Sequence, residues 1–165
     1  MTDLPLAAPP AAAPPCLQAA GVQKRYGPHL VLAGVDLTLA SAQVTVILGE
    51  NGAGKTTLMR VLAGDLLADA GRVMIGGHDL ESAPEAARKG LVYVAQHPPL
   101  APLLSLREHA QALVAFRGLD PVQAAADLSD LAGVFTLAHA LDKPVRALSG
   151  GMAHKAALTL AFLAR

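Results

Sequence analysis

The apolar run VTVIL leads without a break into GENGAGKTT, and no other feature of the 165-residue chain narrows its fold as much as that junction. Val44, Val46 and Leu48 alternate with Thr45 and Ile47, so both faces of the run are largely apolar, the pattern of a strand buried inside a parallel sheet. Helical spacing begins at Lys55, with Leu58, Val61 and Leu62 recurring on one face and Gly64 as the stop. The order is therefore strand, glycine loop, helix. Gly49 to Thr56 fits G-x-x-x-x-G-K-[ST] in the context that pattern requires, with Glu50, Asn51 and Ala53 at its free positions. Gly52 and Gly54 let the backbone turn and approach closely, so successive amides face phosphate oxygens with the positive end of a helix dipole behind them. Lys55 brings a movable cation to the β- and γ-phosphates, the Thr56 hydroxyl is placed to ligate magnesium, and Thr57 adds a donor on the α-phosphate side.

The chain has enough apolar content, 53%, for one globular domain with a core. Lys plus Arg equals Asp plus Glu, 13 against 13, so no global basic field points to nucleic acid and no acidic tail to a basic partner. The single cysteine, Cys16, has no internal disulfide partner, which favours a reducing, cytoplasmic compartment. No run reaches about 18 consecutive apolar residues, so the chain itself is not expected to span a bilayer. The start, MTDLPLAAPPAAAPPC, has Asp3 where a signal peptide needs positive charge and prolines throughout. Residues 1–16 read as a disordered Ala/Pro-rich tail.

Beyond the tail, LQAAGVQKRYG and LVLAGVDLTLA read as strands joined by a GPH turn, a hairpin-like opening. RVMIGGHDL reads as a strand and turn, and GLVYVAQ as another apolar strand. SLREHAQALVAFRG opens with the S-x-x-E capping box of Ser105 and Glu108 and closes at Gly118. DPVQAAADLSDLAG repeats the logic, with Asp120 as cap, Pro121 at the first helical position and Gly133 near the end. A helical segment, about 100–150, thus follows the strand that ends at Gln96. The last stretch, LSGGMAHKAALTLAFLAR, is a helix capped by Ser149.

ALSGGMAHKAAL, with Ser149, Gly150 and Gly151 opening a helix, resembles the LSGGQ signature of ABC-type ATPases, and the phosphate-loop motif precedes it in the order that family shows. A serine hydroxyl and glycine amides at a helix N-terminus form a second anion site. The resemblance covers residues 17–165 and implies an α/β fold: a P-loop NTPase core, an N-terminal antiparallel β subdomain and a helical insert, with the C-terminal part of the core missing. It implies ATP and Mg2+ as ligands and a head-to-tail dimer in which the signature of a second ATP-binding subunit closes over the γ-phosphate. Tyr26 in KRYG resembles the aromatic that stacks on adenine. Gln96 in YVAQ resembles the Q-loop glutamine that reaches magnesium and the attacking water, and that couples to a transmembrane permease subunit. Met152 replaces the usual glutamine of the signature, and Ala153 and Ala157 stand where relatives often carry arginines. Taken together these features resemble exporters slightly more than importers and imply a cytoplasmic site on the inner face of a membrane, reached through the permease.

Hydrolysis needs a carboxylate that holds magnesium, a base or water-positioning acid, and a γ-phosphate sensor. In the family these are the Walker B aspartate, the following glutamate and a later histidine, and no apolar strand ending in Asp-Glu follows the signature helix here. Asp65, Asp69 and Asp79 are expected in turns, away from the magnesium site. The six histidines, His109 and His154 among them, show no metal-binding spacing and read as surface or satisfied polar residues. With a neighbouring core strand absent, the apolar faces of Val46, Ile47 and Val92 are expected to lack cover. Two readings stand: an ATP-binding subunit that hydrolyses ATP in its intact form, or a nucleotide-binding module without turnover. A soluble ABC ATPase is the weaker third, because neither heptads nor a repeat is visible.

Overall fold

A computed structural model describes residues 15–164, which fall into two compact units divided between Leu91 and Val92. The tail expected at the N-terminus lies outside the described residues as far as position 14, and the first strand already begins at Pro15.

In the first unit, β1 (Pro15–Tyr26) and β2 (His29–Ala40) form the expected antiparallel hairpin, turning at Gly27. β3 (Ala70–Ile75) pairs with the other edge of β1, and the two-residue β4 (His78–Asp79) pairs with β3. The resulting sheet order is β2-β1-β3-β4. Leu17 and Ala19 face the core with a period of two, but the next buried residue is Val22, because the register slips between Ala19 and Val22. Gly21 makes that slip at φ 59°, and its N–H donates to the Asp36 carboxylate at 2.7 Å. Across the ladder Gly71 lies so close that a Cβ would stand 2.5 Å from the Gly21 carbonyl carbon, so neither a side chain nor a regular strand fits there.

The helix α1 (Lys55–Leu62) lays Leu58, Val61 and Leu62 on this sheet, where they join Leu32, Val73 and Ile75 in one apolar cluster. It stops as expected: Gly64 is left-handed, its N–H bonds Val61 O, and Asp65 N–H reaches back to Arg60 O at 2.9 Å. A short helix α2 (Pro84–Arg88), started by its proline, adds Ala87 to the cluster.

The apolar runs expected as buried parallel strands are not strands. Residues 43–50 carry no ladder, and Val44, Val46 and Leu48 are 93%, 69% and 86% exposed. Ile47 differs from the expectation in the other direction, packing against the cluster. Residues 91–95 are likewise unpaired, with Val92 exposed. The physical reason is that a strand needs a partner for every second N–H and C=O, and no described segment pairs with either run.

The second unit is helical. α3 (Leu106–Arg117), α4 (Pro121–Val134) and α5 (Gly150–Leu163) bury Leu106, Ala110, Ala124, Leu128, Ala132, Ala156 and Leu163 against one another, and the alanines permit close helix approach. The capping box is present in full: Ser105 Oγ accepts from Glu108 N–H at 3.2 Å, and Ser105 N–H donates to the Glu108 carboxylate at 2.7 Å. Gly118 ends α3 in the left-handed conformation. α4 ends at Val134, next to Gly133 as expected, with Phe135 as its C-cap and Thr136 at φ 58° in the position a glycine usually takes. Leu137 N–H then bonds Ala132 O at 2.7 Å, and burial of the Leu137 side chain holds the turn.

Ser105→Ala is expected to destabilise this helical unit by about 1 kcal/mol, read as a lower urea midpoint at unchanged slope. Hydrogen bonds from the Ser105 backbone and hydroxyl hold the Glu108 carboxyl below the usual glutamate range. Their contribution is complete above the unfolded glutamate value, about 4.3, and is lost as pH falls through the lower folded value. Urea midpoints of Glu108→Gln should therefore fall less than those of the parent as pH drops from 5 to 3.

Candidate functional site

The loop 49–54 reaches α1 through two left-handed glycines, Gly52 at φ 85° and Gly54 at φ 87°. Ala53 N–H closes a turn onto Glu50 O at 3.2 Å, and Leu58 N–H takes Gly54 O at 2.8 Å as the first bond of the helix. Gly54 is the N-cap, and it is fixed from below. A Cβ there would stand 3.0 Å from Val31 Cγ1 and 3.1 Å from Val31 O, so β2 presses on the loop where the backbone reverses.

A glycine cap has a chemical consequence. α3, α4 and α5 each satisfy a first-turn amide with a side chain, from Ser105, Asp120 and Ser149 respectively. α1 has no side-chain cap and no acidic residue in its first turn. The amides of Lys55, Thr56 and Thr57 therefore lack an intrahelical acceptor and carry the positive end of the helix dipole without a neutralising group. Lys55 reinforces the charge: its ammonium donates to Gly49 O at 2.7 Å and Glu50 O at 2.6 Å. An ammonium has three N–H donors, so one remains for an anion. Thr56 is exposed beside it. These groups suit a polyphosphate, and the Thr56 hydroxyl suits a hard cation that takes its other ligands from phosphate and water.

Asp65, Asp69 and Asp79 of this unit have other partners. Asp69 accepts from Lys24 Nζ and Arg25 N–H, both at 2.7 Å, and these bonds, Lys24 first, hold its carboxyl below the usual range. Asp79 accepts from the backbone of Ser82 and Glu81 and pairs with Arg72. Asp65 pairs with Arg60.

Tyr26 stands at the end of β1, 45% exposed, opposite His29 across the hairpin turn. In the helical unit Gln96 is exposed just after the unpaired run 91–95. Ser149 Oγ accepts from Met152 N–H at 3.3 Å, and Gly150 and Gly151 have open space where side chains would be. The structure thus brings Gly49, Glu50 and Gly54 together with Lys55, and Ser149 together with its two glycines. Sequence reasoning did not single out Val31, the residue that bears on Gly54, because a valine in an apolar strand carries no local signal of what it touches.

A family model described as ABC transporter matches residues 32–165. The daunorubicin resistance ATP-binding protein DrrA3 of Streptomyces coeruleorubidus is 40% identical over 132 residues, 80% of this chain and 42% of the relative. The Nod factor export ATP-binding protein I of Ralstonia nicotianae is 35% identical over 138 residues, 84% of this chain and 43% of the relative. The chain therefore spans less than half the length of these two relatives. Among solved structures, an ATP binding subunit of an ABC transporter superposes with a TM-score of 0.80 at 28% identity, covering 90% of this chain and 62% of that one. The α/β architecture expected from the phosphate loop is shared with that structure.

Gly54→Ala places a methyl group against Val31 and an alanine in left-handed backbone. It is expected to cost at least about 1–2 kcal/mol in the stability of the sheet unit, measured by urea unfolding.

Proposed function

The chain belongs to the ABC transporter family, and on that premise we propose that Gly49–Thr57 holds the phosphates of ATP. The observation that carries this is the glycine-capped, acid-free start of α1 with Lys55 folded over the loop. In this reading Gly49, Glu50, Asn51, Gly52, Ala53 and Gly54 supply the backbone cradle. Lys55 binds the β- and γ-phosphates, Thr57 serves the α-phosphate side, and Tyr26 stacks on the base. Thr56 would ligate Mg2+, which supplies charge neutralisation when bound, and Gln96 is assigned the metal-reaching role of the Q-loop glutamine by the resemblance alone. Ser149, Gly150 and Gly151 meet the γ-phosphate of a second ATP-binding subunit in a head-to-tail pair.

By the same reading the intact protein is the ATP-binding subunit of a transporter on the inner face of the membrane. ATP binding and hydrolysis there drive a separate permease, and no nucleic acid is involved. No helix of the described residues is long and apolar enough to cross a membrane, which fits a permease supplied by another chain or segment. The two relatives, one named for drug resistance and one for export, favour the export direction. The domain reading stays as the sequence suggests: an ATP-binding domain over 17–165 with a helical subdomain at about 100–150.

A second reading concerns these 165 residues by themselves, as a nucleotide-binding module without turnover. The observation favouring it is that Asp65, Asp69 and Asp79 are committed to Arg60, Lys24 and Arg72. None is left to position water at the loop.

Lys55→Ala removes a charge-assisted contact of roughly 1.5–3 kcal/mol, about tenfold to a hundredfold in affinity. Titration of a fluorescent ATP analogue should show that loss, and an unchanged dissociation constant sinks the assignment. Phosphate release by the chain with magnesium is expected at background; turnover that K55A abolishes would overturn the second reading.

A further inference from the structure

The segment 97–104, HPPLAPLL, follows Gln96 directly and has few backbone donors, because Pro98, Pro99 and Pro102 have no N–H. Leu100 N–H turns back onto Pro98 O at 2.8 Å. Ala101 N–H instead leaves the segment and donates to His109 Nε2 on α3 at 2.9 Å. The other ring nitrogen, Nδ1, stands 2.8 Å from Ser105 O. Since Ala101 N–H can only donate and Ser105 O can only accept, Nε2 must carry the lone pair and Nδ1 the proton. Both ends of one neutral imidazole are therefore committed to backbone, one of them to the proline segment. Further along, Pro102 O and Leu104 O are held by Arg146 N–H and Val145 N–H, so Ala101 is where the Gln96 side of the segment is tied down.

We infer that His109 is a positioning residue, whose neutral ring latches the proline segment to α3 and so fixes where Gln96 sits. The consequence for catalysis rests on the Q-loop reading of Gln96, whereas the latch itself stands on the geometry.

The test is NMR on the 165-residue chain. At pH 8 a scalar coupling across the N–H···N bond should connect Ala101 N to His109 Nε2. In His109→Phe, which offers no acceptor, Ala101 amide exchange, corrected for its intrinsic rate, should rise about threefold to tenfold, and the Gln96 amide signal should move. His109→Gln, which keeps an acceptor, is expected to bring both back toward the parent values. Absence of the coupling in the parent chain, or Ala101 exchange and a Gln96 signal that are the same in the parent and in His109→Phe, overturns the inference, and the first needs no variant to fold. ATP titration of the same samples keeps the two ideas separate: loss of ATP binding strikes the phosphate-loop reading and leaves the latch standing.

Discussion

At Gly54 three demands meet on one residue that has no side chain. The backbone must turn left-handed to leave the loop, it must pass within contact of Val31, and it must begin a helix. Any L-residue there adds strain and a methyl group where β2 already lies. From that point α1 carries Leu58, Val61 and Leu62 onto the sheet, which is the larger part of the helix contribution to that core. The glycine loop and the core of the unit therefore meet at one residue, and the loop is held by packing beneath it.

Helix starts divide the molecule by chemistry. α3 and α4 consume their first-turn donors with Ser105 and Asp120, and the capping box makes the start of α3 self-sufficient. α1 leaves its donors open and keeps acids out of the first turn, which costs helix stability and leaves a field for phosphate. α5 is intermediate. Ser149 caps it through one long bond, while Gly150 and Gly151 leave the approach unobstructed. A helix start with poor self-satisfaction is a stability loss that a ligand can recover, so binding and stability should rise together in this family of sites.

Much of this was legible along the chain because the deciding interactions are local. The caps of α3, α4 and α5, the stop at Gly64, the left-handed Gly118 and the β1–β2 hairpin all depend on residues within a few positions of one another. The errors came where a distant partner decides. Val44, Val46 and Leu48 have the composition of a buried strand, yet a strand exists only where another edge offers hydrogen bonds. α4 does end near Gly133, but the left-handed residue that follows is Thr136 and not a glycine, because Leu137 has a buried place to go. His109 reads as a surface or satisfied polar residue, and both of its ring nitrogens are satisfied; that one partner is the Ala101 N–H, just ahead of Pro102, is a fact of folding.

What the sequence by itself determined is the glycine loop, the helix starts and the family, since each is written in contiguous residues whose backbone preferences and hydrogen-bonding groups act over one or two turns. What only the tertiary structure decided is which apolar runs become strands, what bears on Gly54, and where the spare nitrogen of His109 goes. Those outcomes hinge on contacts between residues far apart in the chain, and side chains of the same type at the same spacing leave them open until the backbone has brought their partners near.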